Sequence, residues 1–433
     1  MNKSMKSDLY RGLYPIYHLS KVIGLLPVRF TRQAIGRHLG NINRFDVVYS
    51  VSLLLLFIGA EIWGLWRDLR DGWENSTRLK HPTAINVTIG DVVAVALLAS
   101  VGVLGAPFRW EYIREMMTRL VEIDGKLGYI SPKKTQKFAI VLTTCAISFF
   151  ISLACLDIYT WDVQTKVKRK MADKGPINYS PIYFLYLQAL MIEIQYTIAT
   201  YNLNERFLRL NRNLENLMKN HSKWSRIKVS AINDISDGDK LSFVTMKTGI
   251  SDEKTKLCER VLRTSRVTNW MIDNRDEYNN AFEPVSQLIT VHSSLCDTNI
   301  LINKAFGLPI LVVAITCLLH LIITPYFLMM EANSDKETLF IIVQFLWCGL
   351  HVFRMLIIVQ PCYATTTESK RTAILVSQLL TYSWQSDIRK QLEIFSLQLL
   401  HRPLDFTACG LFSLDRALVT SVYMIKCLII NSL

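Results

Sequence analysis

Long apolar blocks dominate the sequence and constrain its fold more than any other feature. Seven of them lie near residues 46–66, 87–108, 137–159, 181–203, 306–330, 338–360 and 411–430. A helix of roughly 20 apolar residues crosses the hydrocarbon core of a bilayer. The blocks therefore predict an all-α integral membrane protein with seven transmembrane helices. They exclude a soluble enzyme, a disordered chain and a disulfide-stapled secreted domain.

The distribution of positive charge indicates which side of the membrane each loop occupies. Segments on the N-terminal side hold 36 of the 49 Lys and Arg residues, and segments on the opposite side hold 10. Because cytoplasmic loops carry an excess of Lys and Arg, we expect a cytoplasmic N-terminus and an extracellular C-terminus. The net charge of +13 then reflects basic loops rather than nucleic-acid binding.

Two outer loops bear on this orientation. Asn75-Ser-Thr is an acceptor for N-glycosylation, and it falls in the first predicted outer loop. The loop at 160–180 holds five basic residues and opposes the assignment. A seven-helix receptor coupled to G proteins, with an extracellular N-terminus, therefore stays open as an alternative. Residues 1–45 are basic and hold only short apolar runs, so we expect no signal peptide.

The segments between the blocks differ in character. Residues 204–305 return to helical spacing at both ends, while about 221–255 are rich in Ser, Lys and Asp and predict a mobile loop. Residues 373–402 form an amphipathic stretch that is too charged to span. The predicted organisation is a cytoplasmic N-terminal segment (1–45), transmembrane helices 1–4 (46–203), a cytoplasmic helical segment (204–305), transmembrane helices 5–6 (306–360), a cytoplasmic amphipathic helix and link (361–410) and a last helix (411–433).

Polar side chains inside the predicted spans are candidate functional residues. An ionisable group at membrane depth is costly and marks a cavity, a pore or a partner. Those toward the outer half are Glu61, Asp91, Asp157, Thr324 and Gln344; the others include Glu193, His320, His351 and Arg354. Arg354 is three residues from His351, and we expect it to pair with a carboxylate such as Glu193. That pair could stabilise the bundle or take part in gating.

Aromatic residues cluster at the same outer level as the outer polar residues. They include Trp161, Tyr183, Tyr186 and Trp347. One interpretation is the aromatic belt at the membrane surface. Another is an outward-opening sugar pocket, in which amides and carboxylates bind hydroxyls while aromatic faces pack against C–H groups. Gln344 and Trp347 share a helix face because they are three residues apart.

Motifs in the last third of the chain resemble one known family. They are Cys317-Leu-Leu-His-Leu-Ile-Ile-Thr-Pro-Tyr-Phe-Leu328, Val343-Gln-Phe-Leu-Trp347, Leu350-His-Val-Phe-Arg354, Gln360-Pro-Cys362, Glu368-Ser-Lys-Arg-Thr372, Phe406-Thr-Ala-Cys-Gly-Leu411, Asp415-Arg416 and Leu418-Val-Thr-Ser421. These motifs are similar to the fructose-receptor branch of the insect gustatory receptor family. The inverted seven-span layout fits the same family over the whole chain.

The resemblance implies a ligand-gated, non-selective cation channel in the plasma membrane. It implies a homotetramer in which each subunit has its own outward-facing sugar pocket and the last helices line a central pore. Hetero-assembly with other gustatory receptors stays open. By motif, the pocket residues are Thr324, Tyr326, Phe327, Gln344 and Trp347; depth adds Asp91, Asp157 and Trp161. The implied partners are a sugar such as D-fructose, permeating cations and membrane lipid. No cofactor, metal, nucleic acid or enzymatic activity is implied.

The end of the chain departs from the family pattern. The family's final helix carries Thr-Tyr, four apolar residues and then Gln-Phe, but here the match stops near Ser421. Lys426 would place a positive charge in or near a cation pathway, and four such charges around one axis oppose cation conduction. A non-conducting or regulatory subunit is therefore the second alternative.

Overall fold

Nine helices and two small hairpins make up the described part of the chain. The computed structural model describes residues 8–32, 38–70, 82–128, 132–168, 180–245, 283–321, 324, 338–382, 384–418 and 420. The helices are α1 (Asp8–Val22), α2 (Arg44–Arg70), α3 (Pro82–Leu104), α4 (Ala106–Leu127), α5 (Pro132–Lys168), α6 (Ser180–Thr245), α7 (Glu283–Leu321), α8 (Thr338–Leu380) and α9 (Ser386–His401). The strands are β1 (Val28–Arg32), β2 (His38–Ile42), β3 (Thr407–Ala408) and β4 (Phe412–Ser413), paired antiparallel as β1–β2 and β3–β4.

Six of the described helices, α2, α3, α5, α6, α7 and α8, are long and apolar enough to cross a membrane. They account for the first six predicted spans, and they make the chain a multi-pass membrane protein. Most of the seventh predicted span, 411–430, lies outside the described residues.

Two predicted span boundaries were wrong for local reasons. The second span was expected to reach residue 108, but α3 ends at Leu104 and α4 begins at Ala106, directly after Gly105. Pro107 favours a new helix there because its fixed φ suits a first turn. The last span was expected to begin at 411, but Phe412–Ser413 pairs with Thr407–Ala408 in a hairpin.

The predicted cytoplasmic segments also differ from the observed ones. The backbone of α6 stays helical to Thr245, so the expected mobile loop at about 221–255 is helical over its first part, and residues 246–282 lie outside the described part. The amphipathic stretch 373–402 is divided between the end of α8 and α9. At the break, the Trp384 indole Nε1–H donates to the Leu379 carbonyl oxygen at 2.7 Å. No Gly or Pro marks this break in the sequence.

The chain divides into two compact units. The first comprises Met1–Glu205, Asp297–Thr366 and Leu404–Leu433, and the second comprises Arg206–Cys296 and Thr367–Pro403. In the second unit, the Asn211 amide Nδ2 donates to the backbone oxygen of Glu368 at 2.9 Å, and the Thr372 hydroxyl donates to Asn211 Oδ1 at 2.7 Å. These bonds join α6 to α8 within that unit.

The N-terminal hairpin is attached to α4 within the first unit. The Trp110 indole Nε1–H donates to the Gly40 carbonyl oxygen at 3.0 Å, and the Trp110 ring meets the Phe30 ring edge-on with centroids 5.7 Å apart. A Cβ added at Gly40 would lie 2.3 Å from the Trp110 ring. Glycine is therefore required here by close approach, and β2 and α4 depend on this contact.

We expect Gly40→Ala to lower the midpoint of thermal unfolding of the detergent-purified protein, because the added methyl must displace a rigid indole. Overpacking of this kind costs about 1–3 kcal/mol. Gly59→Ala in α2 is the matched control, since nothing lies within 4 Å of a Cβ built there and alanine favours the helix by up to ~1 kcal/mol. Equal midpoints for the two variants would contradict the contact.

Candidate functional site

One face of α6 and one face of α8 carry polar and aromatic side chains within the first unit. On α8, Gln344, Trp347, His351 and Arg354 recur at three- and four-residue intervals and so lie along one face. On α6, Tyr183, Tyr186 and Glu193 follow one another at intervals of three and seven residues and so also share a face. The two faces supply most of the contacts described below.

Asp157 of α5 accepts two hydrogen bonds from different helices. The Tyr183 hydroxyl donates to Asp157 Oδ2 at 2.8 Å, and the Trp347 indole Nε1–H donates to the same oxygen at 3.0 Å. The Asp157 residue is 9% exposed. Asp157 therefore connects α5, α6 and α8.

Asp91 of α3 forms a second connection. The Tyr186 hydroxyl donates to Asp91 Oδ1 at 2.7 Å, and the same hydroxyl lies 2.9 Å from His320 Nε2. His320 Nε2 is also 3.2 Å from Asp91 Oδ1. Three side chains from α3, α6 and α7 thus meet at one point.

Ring contacts join these two points into one cluster. The His320 and His351 rings stack with centroids 4.2 Å apart and planes 10° apart. The Trp347 ring lies 6.1 Å from His351 and 5.5 Å from Tyr186. We name these residues the polar-aromatic cluster: Asp91, Asp157, Tyr183, Tyr186, His320, Trp347 and His351.

A buried ion pair lies beside the cluster. The Arg354 Nη2 donates to Glu193 Oε1 at 2.6 Å, and its Nε donates to the same oxygen at 2.9 Å. The exposed fractions of the Arg354 and Glu193 side chains are 2% and 0%. Arg354 Nη1 also lies 3.3 Å from His351 Nδ1. The predicted pairing of Arg354 with Glu193 is confirmed, and it joins α6 to α8.

The structure brings together only some of the residues expected at the site. Asp91, Asp157, His320, Trp347 and His351 lie in the cluster. Trp161 instead packs edge-on against Phe340, with centroids 6.3 Å apart. Gln344 is half-buried and, among the described residues, makes no hydrogen bond. Thr324 and Glu61 are buried; Asn75, Tyr326, Phe327, Ser421 and Lys426 lie outside the described part of the chain.

Tyr183 and Tyr186 are central to the cluster, although the sequence placed them only in a larger aromatic group that could form either a membrane-surface belt or a pocket. They precede Glu193 by ten and seven residues along α6, and this spacing was the available signal. Phe150 was also missed, and its ring meets Trp347 edge-on at 6.4 Å. A helical-face comparison between α6 and α8 would have found the tyrosines, whereas Phe150 has no such signal.

The cluster has the chemistry of a binding site. Its carboxylates accept hydrogen bonds, its phenols both donate and accept, and its indole and imidazole rings offer flat apolar faces. In the described ranges, no group of three or more His, Cys, Asp or Glu side chains is arranged to hold a metal ion. The carboxylates, phenols and rings of the cluster are the kinds of group that hydrogen-bond hydroxyls and pack against apolar surfaces.

Comparison with known proteins places the chain among chemosensory receptors. A family model described as 7tm Chemosensory receptor matches residues 13–424. The chain is 28% identical over 414 residues to "Gustatory receptor for sugar taste 43a" of Drosophila melanogaster, covering 94% of this chain and 93% of the relative. Its fold is similar to the insect olfactory receptor OR5 of Machilis hrabei, with a TM-score of 0.59, 11% identity and 98% of each chain covered. The OR5 structure in complex with eugenol gives a TM-score of 0.58 at 12% identity, with 97% of each chain covered.

We expect Glu193→Gln and Arg354→Met each to destabilise the purified protein by about 3–5 kcal/mol, because each leaves one buried charge without its partner. The double variant Glu193→Gln/Arg354→Met removes both charges and should lose less than either single variant. Thermal unfolding and surface labelling of all three measure the effect. Additive losses in the double variant would show that the two charges do not depend on each other.

Proposed function

Because the chain belongs to the 7tm chemosensory receptor family, we propose that it is a gustatory receptor gated by a sugar, with D-fructose as its ligand. The observation that carries the proposal is the convergence of Asp91, Asp157 and Trp347, from three helices, on one partly buried cluster. A receptor of this family has no enzymatic role.

The cluster supports the sugar class on chemical grounds. Planar carboxylates accept hydrogen bonds from neighbouring hydroxyls of a sugar ring, while the Trp347 face can pack against its C–H groups. The relative that matches nearly the whole chain is named for sugar taste. We propose Asp91, Asp157, Trp161, Gln344 and Trp347 as ligand-binding residues; Thr324, Tyr326 and Phe327 complete the proposed set.

The proposed output is a cation current through a central pore of a homotetramer, lined by the last helix of each subunit. The N-terminus is cytoplasmic in this proposal, and the pocket opens outward. The ligand must bind the open state more tightly than the closed one, since only differential affinity shifts the equilibrium.

Contacts within the first unit support a direct route from the cluster to the final segment. The helix α8 carries Trp347 and continues past Gln360 and Tyr363. The Arg416 Nη2 donates to Gln360 Oε1 at 3.3 Å, and its guanidinium lies 3.8 Å from the centroid of the Tyr363 ring. Movement of α8 would therefore displace Arg416, near the start of the proposed pore helix.

The end of the sequence favours a second candidate function, that of a non-conducting or regulatory subunit. Residues after Ser421 lack the family's Gln-Phe ending, and Lys426 introduces a positive charge. Such a subunit would keep the ligand site and the tetrameric assembly but would not conduct by itself.

We expect Trp347→Ala to weaken binding of radiolabelled fructose to the detergent-purified full chain by roughly 10–100-fold. The substitution removes the ring face proposed to pack against the sugar, and truncating a central aromatic contact residue costs about 2 kcal/mol or more of binding free energy. Trp63→Ala is the matched control, because Trp63 is 55% exposed on α2 and lies outside the cluster. Unchanged affinity of Trp347→Ala and Gln344→Ala relative to wild type would refute the proposed site.

Whole-cell recording separates the two candidate functions. Cells expressing only this chain are expected to give a fructose-evoked cation current. If the wild-type chain is silent at the surface while a chain carrying a family-type ending after Ser421 conducts, the non-conducting subunit is the correct function. Silence of both chains, with fructose binding intact, would contradict the channel proposal for this fold.

A further inference from the structure

A cavity lies in the first unit, away from the polar-aromatic cluster. It has a volume of about 90 Å³ and is lined by residues of α1, β1, α4, α6 and α7, among them Ile16, Phe30, Trp110, Met116, Ala199 and Phe306. One water needs roughly 10–15 Å³ of such space, so the cavity can hold a much larger group. Its α6 wall, at Gln195–Asn202, lies roughly 18 Å along the helix from Tyr186, at 1.5 Å per residue.

The polar side chains in the cavity wall bond to the protein itself. The Tyr17 hydroxyl donates to the Val28 carbonyl oxygen at 2.7 Å, and Gln195 Nε2 donates to the Ser20 hydroxyl at 2.9 Å. Asn202 Nδ2 donates to the Ile198 carbonyl oxygen at 2.8 Å. Because these bonds occupy the polar groups, the cavity favours an apolar occupant such as a hydrocarbon tail.

A buried positive charge with no carboxylate partner among the described residues lies close to this cavity. Arg109 is 6% exposed, and its Nη2 donates to the Gly102 carbonyl oxygen at 2.7 Å. Within the described part of the chain, its Nε and Nη1 have no hydrogen-bond partner and no carboxylate pairs with it. Burial lowers the pKa of Arg109 to about 10, so the guanidinium stays charged at neutral pH. An isolated buried charge is costly unless an anion accompanies it.

Helix geometry places Arg109 at one end of the cavity wall. The wall residues Ile113, Met116 and Leu120 follow Arg109 by four, seven and eleven positions on α4 and therefore share its face. The Arg109 guanidinium also lies 5.9 Å from the centroid of Phe306, another wall residue. Arg109 does not itself line the cavity, but it neighbours two wall residues, Trp110 along the chain and Phe306 in space.

We propose that this cavity binds an anionic amphiphile, its hydrocarbon tail lying among the apolar wall residues and its carboxylate or phosphate pairing with Arg109. The site is separate from the proposed sugar site and does not depend on it. Two sources share this chemistry, a free fatty acid and an anionic membrane phospholipid.

Photo-crosslinking locates the occupant. The purified full chain is irradiated with a palmitic acid analogue that carries a diazirine in its tail, and labelled peptides are identified by mass spectrometry. We expect label in α4 or near Phe306, competed by excess palmitate. Ala199→Phe should abolish this label, because the larger side chain fills the cavity. Label confined to other peptides, or unchanged in Ala199→Phe, would overturn the proposal.

Thermal unfolding tests the role of Arg109. Palmitate should raise the unfolding midpoint of the wild type. The Arg109→Met variant should need a palmitate concentration at least about tenfold higher for the same rise, because the substitution removes a hydrogen-bonded charge pair with the carboxylate. Arg119→Met is the matched control on the same helix, because Arg119 pairs with Glu115 and Asp297. Arg109→Met removes an unpaired buried charge, so its midpoint without palmitate should not fall.

Two further arms identify the headgroup and its source. Methyl palmitate, which lacks the charge, should shift the wild-type midpoint far less than palmitate. Vesicles of phosphatidylcholine with phosphatidylserine, compared with phosphatidylcholine alone, report on phospholipid. A shift by palmitate identifies a free fatty acid, whereas a shift by phosphatidylserine alone identifies a phospholipid. Equal shifts for palmitate and its methyl ester, or for wild type and Arg109→Met, would overturn recognition by Arg109.

Discussion

Polar side chains buried in membrane helices must find partners within the protein, because the hydrocarbon core offers no water. The Glu193–Arg354 pair meets this constraint at the centre of the first unit, with 0% and 2% of the two side chains exposed. Around it, Asp157 attaches α5 through Tyr183 and Trp347, and Asp91 attaches α3 through Tyr186. The contact between Tyr186 and His320 adds α7. The positions of α3, α5, α6, α7 and α8 thus depend on one connected set of polar contacts.

The same contacts explain how the cluster could respond to a ligand. Its hydrogen bonds join protein groups to one another, and a polyhydroxyl ligand must exchange some of them for its own. The net gain of such an exchange is small per bond, but it depends strongly on geometry. A ligand can therefore favour one arrangement of α8 over another. In the proposed mechanism, the Arg416 contacts to Gln360 and Tyr363 would transmit a change in α8 to the start of the final segment.

The sequence was sufficient to predict the apolar helices, the intramembrane polar residues and the Glu193–Arg354 pair, since each follows from hydropathy, helical spacing or charge. Helical spacing could place Tyr186 on the same face as Glu193, but its contacts with Asp91 and His320 could not be predicted, because they depend on how α3, α6 and α7 pack. The break between α8 and α9 has no Gly or Pro to mark it, and the β3–β4 hairpin depends on two short paired strands. The burial of Arg109 could not be predicted, because it depends on packing against Gly102 of α3 and Phe306 of α7.

We expect the sugar to bind at the polar-aromatic cluster and not in the apolar cavity near Arg109. Electron cryo-microscopy of the purified full chain with saturating fructose, compared with the sugar-free protein, locates the bound sugar. Density for one sugar should contact Trp347 and at least one of Asp91 and Asp157, with their present hydrogen bonds rearranged. An unchanged, sugar-free cluster under the same conditions would rule out this site.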